Sequence, residues 1–507
     1  MNAHTFAPSP AQQAYFDWIA NSEGSAVLEA VAGAGKTTTI VNGLQYMHGQ
    51  VLLLAYNSEM AKQLQERTAG RPGVFASTFH SAGVKALRFA FGKSNKLEVS
   101  SKKVEVITKA LLLEKSRNEL LDLTGAVCDF VSMAKQRGIG ALSPLADDSA
   151  WLDMINHFAL DESLPEGMEG HLVTAMHLSQ EVLRRSNMDL DVIDFDDMVY
   201  LPLQRQLRML QHDWVLVDEA QDTNPTRRAL AAKLLRPRGR LVAVGDPCQA
   251  IYGFTGTDND SLQQAADAFN CTKLQLTTSY RCPKAVVEVA RRYADHIQAH
   301  DSAPDGEVVS YDYKDILNRV VPGDLVLCRF NKHLVKLVFA LIRAGVPARI
   351  EGRAIGQGLA KLAGRWTRIK TLNALETRLE EYLESEYAKA KAKDDARRAD
   401  NAQDTVDTLR VLIERAREQG LSTVEQLQAM ILDLFENLPG EDAKPCVLLM
   451  SGHRSKGLER DRVHILGLDT LVARTSRDWA RLQEIHLAYV MVTRAKASLF
   501  LVEGVER

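Results

Sequence analysis

What the sequence lacks narrows it before any motif is read. No apolar run approaches the roughly 20 residues of a membrane-spanning helix, and the start Met1-Asn-Ala-His-Thr-Phe-Ala-Pro has no basic-then-apolar signal pattern. A cytoplasmic location with no membrane partner is therefore expected. The six cysteines (Cys128, Cys248, Cys271, Cys282, Cys328, Cys446) are scattered, with no C-x-x-C pair. That spacing suggests neither a zinc site nor a disulfide framework, and leaves reduced, packed thiols. Charge of one sign is also missing: Lys+Arg 62 against Asp+Glu 65 gives a net charge of −3. No global basic field announces a nucleic acid, and a polyanion would need a local basic groove. What is present is 507 residues with 46% hydrophobic content, enough for about three or four domains rather than one core.

Residues 30–37, Ala-Val-Ala-Gly-Ala-Gly-Lys-Thr, follow the apolar run Ser25–Ala30 and open a helix. Gly33 and Gly35 free backbone N–H groups to converge on a triphosphate, and the helix N-terminus adds positive dipole. Lys36 reaches the β/γ oxygens and Thr37 holds Mg²⁺. The outermost position of the G-x-x-x-x-G-K-[ST] pattern is Ala30, one small residue for another. Downstream, Trp214-Val-Leu-Val-Asp-Glu-Ala-Gln-Asp222 reads as a buried parallel strand ending in two carboxylates. In an open α/β sheet ligands sit at C-terminal strand ends, so Asp218 is placed for Mg²⁺ and Glu219 for orienting and deprotonating water. Together the two segments imply nucleoside triphosphate hydrolysis, a chemistry of positioning and charge neutralisation.

Short buried strands alternate with helical stretches twice over. Ser25–Ala30, Val51–Ala55, Val74–Thr78, Trp214–Asp218, Arg240–Gly245 and Lys273–Thr277 make a first set, which suggests a parallel sheet. Asp324–Arg329, Ala348–Glu351, Pro445–Met450, Arg462–Gly467 and Ser498–Glu503 repeat the texture without a second phosphate loop. Two α/β cores with one phosphate loop imply a nucleotide sandwiched between them. Helical periodicity interrupts each core, over residues 84–190 and 352–444. The charged segment Glu376–Arg398 in the second insert reads first as a solvated helix or helical hairpin, with DNA or partner contact as the alternative.

The blocks along the chain resemble, in order, those of the UvrD/PcrA/Rep-like helicases of superfamily 1. The resemblance implies two RecA-like P-loop NTPase cores, parallel sheets flanked by helices, each interrupted by a mainly helical insert. The first core would take residues 1–83 and 191–278, and the second 279–351 and 445–507. Inserts would take 84–190 and 352–444. Ser9-Pro-Ala-Gln-Gln-Ala is similar to the family's glutamine motif, so Gln12 would read adenine, with Gln13 the other register. Ala32, Gly33, Ala34, Gly35, Lys36, Thr37 and Thr38 would complete the ATP-binding loop. Thr38 stands where relatives often carry Arg, which puts an adenine-side contact in doubt.

Val244-Gly-Asp-Pro-Cys-Gln-Ala-Ile-Tyr-Gly-Phe-Thr-Gly256 resembles the third motif, with Gln249 sensing the γ-phosphate and Tyr252 and Phe254 on DNA. Phe254 would stack on a base, or alternatively pack in the core; many relatives have Trp-Arg where Phe254-Thr255 stands. Leu276-Thr-Thr-Ser-Tyr-Arg-Cys282 is similar to the fourth motif, implying that Tyr280 stacks on adenine and Arg281 reaches the γ-phosphate. Arg494, in Glu484-Ile-His-Leu-Ala-Tyr-Val-Met-Val-Thr-Arg-Ala495, would be the second arginine finger. Ser451-Gly-His-Arg-Ser-Lys-Gly-Leu-Glu459 would set His453 on the DNA backbone and Glu459 on the ribose hydroxyl. Leu54-Ala-Tyr-Asn-Ser and Ala76-Ser-Thr-Phe-His-Ser81 would bring Tyr56, Asn57, Thr78, Phe79 and His80 to DNA, with core packing an equal reading for Phe79. Asp194-Phe-Asp-Asp-Met198 also matches a family element, with no chemical role for its carboxylates.

The resemblance thus implies an ATP- and Mg²⁺-dependent 3′→5′ DNA helicase or translocase, acting on single strands and single/double-strand junctions as a monomer or weak oligomer. A nucleoprotein remodeller or defence component that unwinds little, and a nucleotide-switched binding module, are the competing readings. Glu219, Arg281 and Arg494 argue against a pure switch. With Arg507 soon after the sixth block, no C-terminal nuclease domain is expected, and the sequence carries no recognisable check for a ribose 2′-hydroxyl along the track.

Overall fold

The computed structural model describes residues 7–92, 97–165, 167–253, 256–351, 353–392, 396–436, 445–471 and 478–505. The chain forms two compact units, Met1–Val31 with Gly35–Leu276, and Ala32–Ala34 with Thr277–Arg507.

In the first unit, strands β1 (Ala26–Ala30), β2 (Val51–Ala55), β3 (Val74–Thr78), β4 (His212–Val217), β5 (Leu235–Gly245) and β6 (Thr272–Leu276) form one sheet in the order β3-β2-β4-β5-β1-β6. Every pairing is parallel. β2 is buried throughout and reads as an unbroken Val/Leu/Ala run, while β1 is buried except at Glu29 and β4 except at Asp213. β5 starts earlier than the expected Arg240. Pro237 and Gly239 suggest a break, but the strand absorbs them in a bulge with Arg238 at φ 66°, and its register against β4 jumps from His212↔Leu235 to Trp214↔Arg240.

Between β3 and β4 the chain is mainly helical, with Lys103–Glu114, Thr124–Arg137, Asp148–His157 and Leu172–Met188 packed around Trp151, Phe130 and Leu183. A buried charge cluster ties this region to the segment leading into β4. Lys135 Nζ lies 2.5 Å from Asp194 Oδ2 and 2.7 Å from Asp197 Oδ1, while Lys103 Nζ lies 2.8 Å from Asp197 Oδ2. Asp194 and Asp197, which had no chemical role in the sequence, are counter-ions to buried lysines.

The second unit repeats the plan with β7 (Glu307–Asp312), β8 (Leu325–Cys328), β9 (Ala348–Ile350), β10 (Val447–Ser451), β11 (Arg460–Leu466) and β12 (Ala495–Glu503). Their order is β7-β12-β11-β8-β10-β9, again all parallel. β7 was not expected: Glu307-Val-Val-Ser-Tyr-Asp312 lies at the sheet edge and alternates with polar residues instead of forming an apolar run. Helices Arg353–Ala363, Leu372–Ala392, Ala396–Glu418 and Val424–Glu436 lie between β9 and β10. The charged stretch of the second insert pairs with itself and its neighbours, as in Arg398 with Glu386 at 2.8 Å and Lys389 with Glu386 at 3.0 Å. Of the two forms expected for that segment, the structure has the helical hairpin, Leu372–Ala392 against Ala396–Glu418, with Leu379 and Leu383 buried and not solvated.

Candidate nucleotide and nucleic-acid site

Three strands of the first sheet, β1, β4 and β5, each run at their C-terminal end directly into a candidate site segment. β1 leads into the phosphate loop, where Gly33 and Gly35 take φ 76° and 79°, a left-handed conformation that side chains with a Cβ resist. Gly35 is the residue before the helix Lys36–Gly43, so the loop amides and the helix N-terminus are set for an anion.

β4 leads into Asp218 and Glu219. Glu219 is itself left-handed, at φ 52° and ψ 44°, a strained state for a residue with a Cβ, of the kind found at functional sites. The turn brings the Glu219 carboxylate to 3.9 Å from Lys36 Nζ. Asp218 is only 5% exposed, and burial, with the Glu219 charge beside it, pushes its carboxyl up to about 7, against the partial relief given by Lys36. Two crowded carboxylates, one nearly dry, are a donor set that suits a divalent cation.

β5 leads into Asp246, whose carboxylate accepts from Gln249 Nε2 at 2.7 Å. The backbone N–H of Asp246 donates to Gln221 Oε1 at 3.1 Å, and Gln221 Nε2 donates to Glu219. Gln221 thereby joins the acidic pair to the Gln249 segment. The sequence reading missed it, because its task depends on the left-handed turn at Glu219, although its place in Asp-Glu-Ala-Gln-Asp was a signal.

Gln12 is buried beside the loop. Its Oε1 accepts from the Ser9 N–H at 3.0 Å in a capping box, and its Nε2 donates to Thr39 Oγ1 at 2.9 Å. Gln13, the other register, is exposed and donates to Asp17. Thr37 is half-buried, whereas Thr38 is exposed and its carbonyl accepts from Asn42.

Among the expected track residues, Tyr56 and Tyr252 come together, with ring centroids 5.7 Å apart and planes 6° from parallel. Arg227, which the sequence reading did not single out, lies over Tyr56 at 4.8 Å. Burial and this guanidinium push His80 down to about 4. Asn57 and Thr78 cap helices, accepting from the N–H groups of Met60 and Ser81 at 2.9 and 3.1 Å. Phe79 is a correction: at 2% exposure it packs with Leu54, Val217 and Leu230 in the core and presents no face to a base. Phe79 is the first residue of the helix that Thr78 caps, and it is buried there. Phe254 lies outside the described residues.

The second unit holds the two expected arginine fingers. Arg281 Nε pairs with Glu459 Oε2 at 2.5 Å. Arg494 is 1% exposed and donates to the carbonyls of Val490 and Leu458 and to Thr493 Oγ1, at 2.8, 3.3 and 3.1 Å. Tyr280 is 47% exposed, its ring 4.8 Å from that of His300, and His453 is half-buried.

A phosphate loop opening a helix, an acidic strand end beside the loop lysine and two all-parallel sheets define a P-loop nucleotide-binding protein with two RecA-like α/β parts. Residues 11–270 match the UvrD/REP helicase N-terminal domain and residues 350–503 the UvrD-like helicase C-terminal domain. The chain belongs to the UvrD-like helicase family. It is 27% identical to the ATP-dependent DNA helicase srs2 of Schizosaccharomyces pombe over 293 residues, covering 51% of this chain and 32% of that protein. Over 304 residues it is 26% identical to the ATP-dependent DNA helicase Rep of Escherichia coli, covering 56% and 42%. Over 421 residues it is 26% identical to the ATP-dependent DNA helicase UvrD1 of Mycobacterium bovis, covering 68% and 51%. The matched parts thus span between about a third and a half of these relatives. Among the described residues, no helix is long and apolar enough to cross a membrane.

Proposed function

We propose that the chain is an ATP-driven DNA helicase and single-strand translocase moving 3′→5′, acting in repair, recombination or replication. The observation that carries this is the approach of Glu219 to Lys36 at 3.9 Å, beside a buried Asp218, in a member of the UvrD-like family. In this reading the loop amides and Lys36 bind the triphosphate, and Glu219, aimed by its turn and by Gln221, takes a proton from water. Asp218 and Thr37 would hold Mg²⁺, which supplies charge neutralisation at the phosphates. Gln249 senses the γ-phosphate through the Asp246–Gln221 linkage, Gln12 and Tyr280 hold adenine, and Glu459 holds the ribose.

Residues 1–83 with 191–278 and 279–351 with 445–507 are assigned to the two cores, and 84–190 and 352–444 to the inserts. Arg281 and Arg494 are assigned to the γ-phosphate charge during turnover, where an arginine is worth about 10³–10⁵ in rate. For that task each must leave the partners it has here. Tyr56, Tyr252, Phe254, His453 and neighbouring Asn57, Thr78 and His80 are assigned to the DNA strand, whose bases stack on aromatic faces without regard to sequence.

The test is ATP turnover with and without single-stranded DNA, for wild type and Lys36→Ala. DNA-stimulated turnover that disappears in the variant supports the reading. Turnover at the wild-type level in Lys36→Ala would remove the phosphate loop from it.

A further inference from the structure

Phe89 and Leu210, 83% and 74% exposed, are the two most exposed large apolar side chains among the described residues, and both line the same cavity. Phe75, 47% exposed, lines it as well, braced edge-on against His212 with centroids 6.1 Å apart. Placing apolar surface around one concavity is the pattern of an interaction site, whereas single exposed apolar residues scattered over a surface need no explanation. The cavity measures about 740 Å³, within the range of sites that hold a side-chain cluster or a small ligand. It opens along β3, the edge strand of the first sheet, and includes no residue of the phosphate loop or of the Asp218–Glu219 pair.

Its charge has one sign. Arg71, Lys85 and Arg208 line it and no Asp or Glu does, although the chain as a whole carries −3. Lys85 and Arg208 are exposed. Arg71 is half-buried and donates through Nη1 to the Val41 carbonyl at 2.9 Å, on the helix that begins with Lys36. A concave apolar floor with three cations and no carboxylate complements a segment with Phe or Leu anchors and Asp or Glu beside them. Cations beside aromatic faces also suit a nucleic-acid strand, but the predominantly apolar lining favours buried side-chain anchors over a phosphate backbone.

We propose that this cavity docks an acidic segment of a partner protein, carrying aromatic or aliphatic anchors, at a site separate from the nucleotide and DNA residues. The anchors fill the space between Phe75, Phe89 and Leu210, while the flanking carboxylates meet Lys85, Arg208 and Arg71. Because Arg71 also holds the helix behind the phosphate loop, the docked segment touches a side chain bonded to the ATP-binding element.

The experiment is fluorescence anisotropy with a short fluorescein-labelled peptide that alternates Asp and Glu with Phe and Leu. A matched peptide with Lys for the acids and a labelled oligothymidine serve as comparisons. Expected are saturable binding of the acidic peptide alone, loss of at least about tenfold in affinity for Lys85→Glu/Arg208→Glu and for Phe89→Ser, and no displacement by unlabelled oligothymidine. These side chains are exposed, and unchanged thermal melting confirms that the variants fold. Absence of saturable binding, equal binding of the Lys peptide, or displacement by oligothymidine each overturns the proposal; the last outcome makes the cavity a nucleic-acid surface. None of these readouts depends on ATP turnover, so failure here is distinguishable from failure of the proposed function.

Discussion

Arg281 and Glu459 form an ion pair at 2.5 Å within the second unit, although the family resemblance gives them separate tasks on phosphate and ribose. On the proposed roles, the guanidinium exchanges one carboxylate for the γ-phosphate oxygens, and the carboxylate exchanges a cation for a hydroxyl. Arg281→Ala is expected to lower kcat for ATP by about 10³-fold or more, because transition-state charge loses its partner. Glu459→Gln is expected to lower kcat far less, since it releases the guanidinium as well as weakening ribose contact. Steady-state turnover with saturating single-stranded DNA checks both; a Glu459→Gln loss as large as that of Arg281→Ala would contradict the exchange.

Glu219→Gln is expected to cost about 10²–10⁴-fold in turnover while nucleotide binding is retained, the amide being unable to accept the water's proton. Gln221→Ala should give a smaller loss in kcat with little change in KM, because it releases Glu219 from its donor without removing the carboxylate. Fluorescent-nucleotide binding alongside turnover separates the two effects.

Asp218 supplies a pH prediction. Its carboxyl is pushed up to about 7 by burial and by Glu219. The folded state then holds a proton that the unfolded state, with its carboxyl near 3.9, gives up earlier. Stability from this group is fully present below about 4, declines as pH rises and is lost by the time pH passes about 7. Without divalent cation, the melting temperature of wild type relative to Asp218→Asn should therefore fall across that window and level off above it. A relative melting temperature that rises with pH would contradict the assignment.

Tyr252→Ala is expected to weaken single-strand affinity by about 1–3 kcal/mol if its ring, stacked on Tyr56 here, takes a base in its place. Equilibrium titration with labelled oligothymidine reads this directly. Phe79→Leu, by contrast, should leave DNA affinity unchanged, since Phe79 is a core side chain.

Lys135→Met tests the buried cluster independently of function. Removing the cation leaves Asp194 without its lysine and Asp197 with Lys103 alone, and breaking a buried pair costs about 3–5 kcal/mol. Urea denaturation should show that loss, and a change below about 1 kcal/mol would contradict the paired-charge account.

Much of this fold was legible because fully buried parallel strands have no polar face to hide them. Val51–Ala55, buried throughout, appears at the bounds the sequence suggests, and so does the partly exposed edge strand Val74–Thr78. β7 was not legible, since Glu307-Val-Val-Ser-Tyr-Asp312 mixes exposed polar residues with short apolar ones and its pattern resembles a loop. The early part of β5 was masked by Pro237 and Gly239, which end most strands but here sit in a bulge. At the site, Lys36, Asp218 and Glu219 were readable from local spacing. Gln221 and Arg227 were not, because each acts across the fold on a residue placed by backbone geometry. Phe79 shows the converse: its motif position allowed a DNA face or the core, and the fold buries it in the core.

The most direct test of the central claim is ATP-driven strand displacement from DNA duplexes carrying either a 3′ or a 5′ single-stranded tail, with an RNA-tailed duplex alongside. Displacement confined to the 3′ DNA tail is the predicted result. Displacement from the 5′ or RNA tail, or ATP turnover without displacement from any of them, would contradict it.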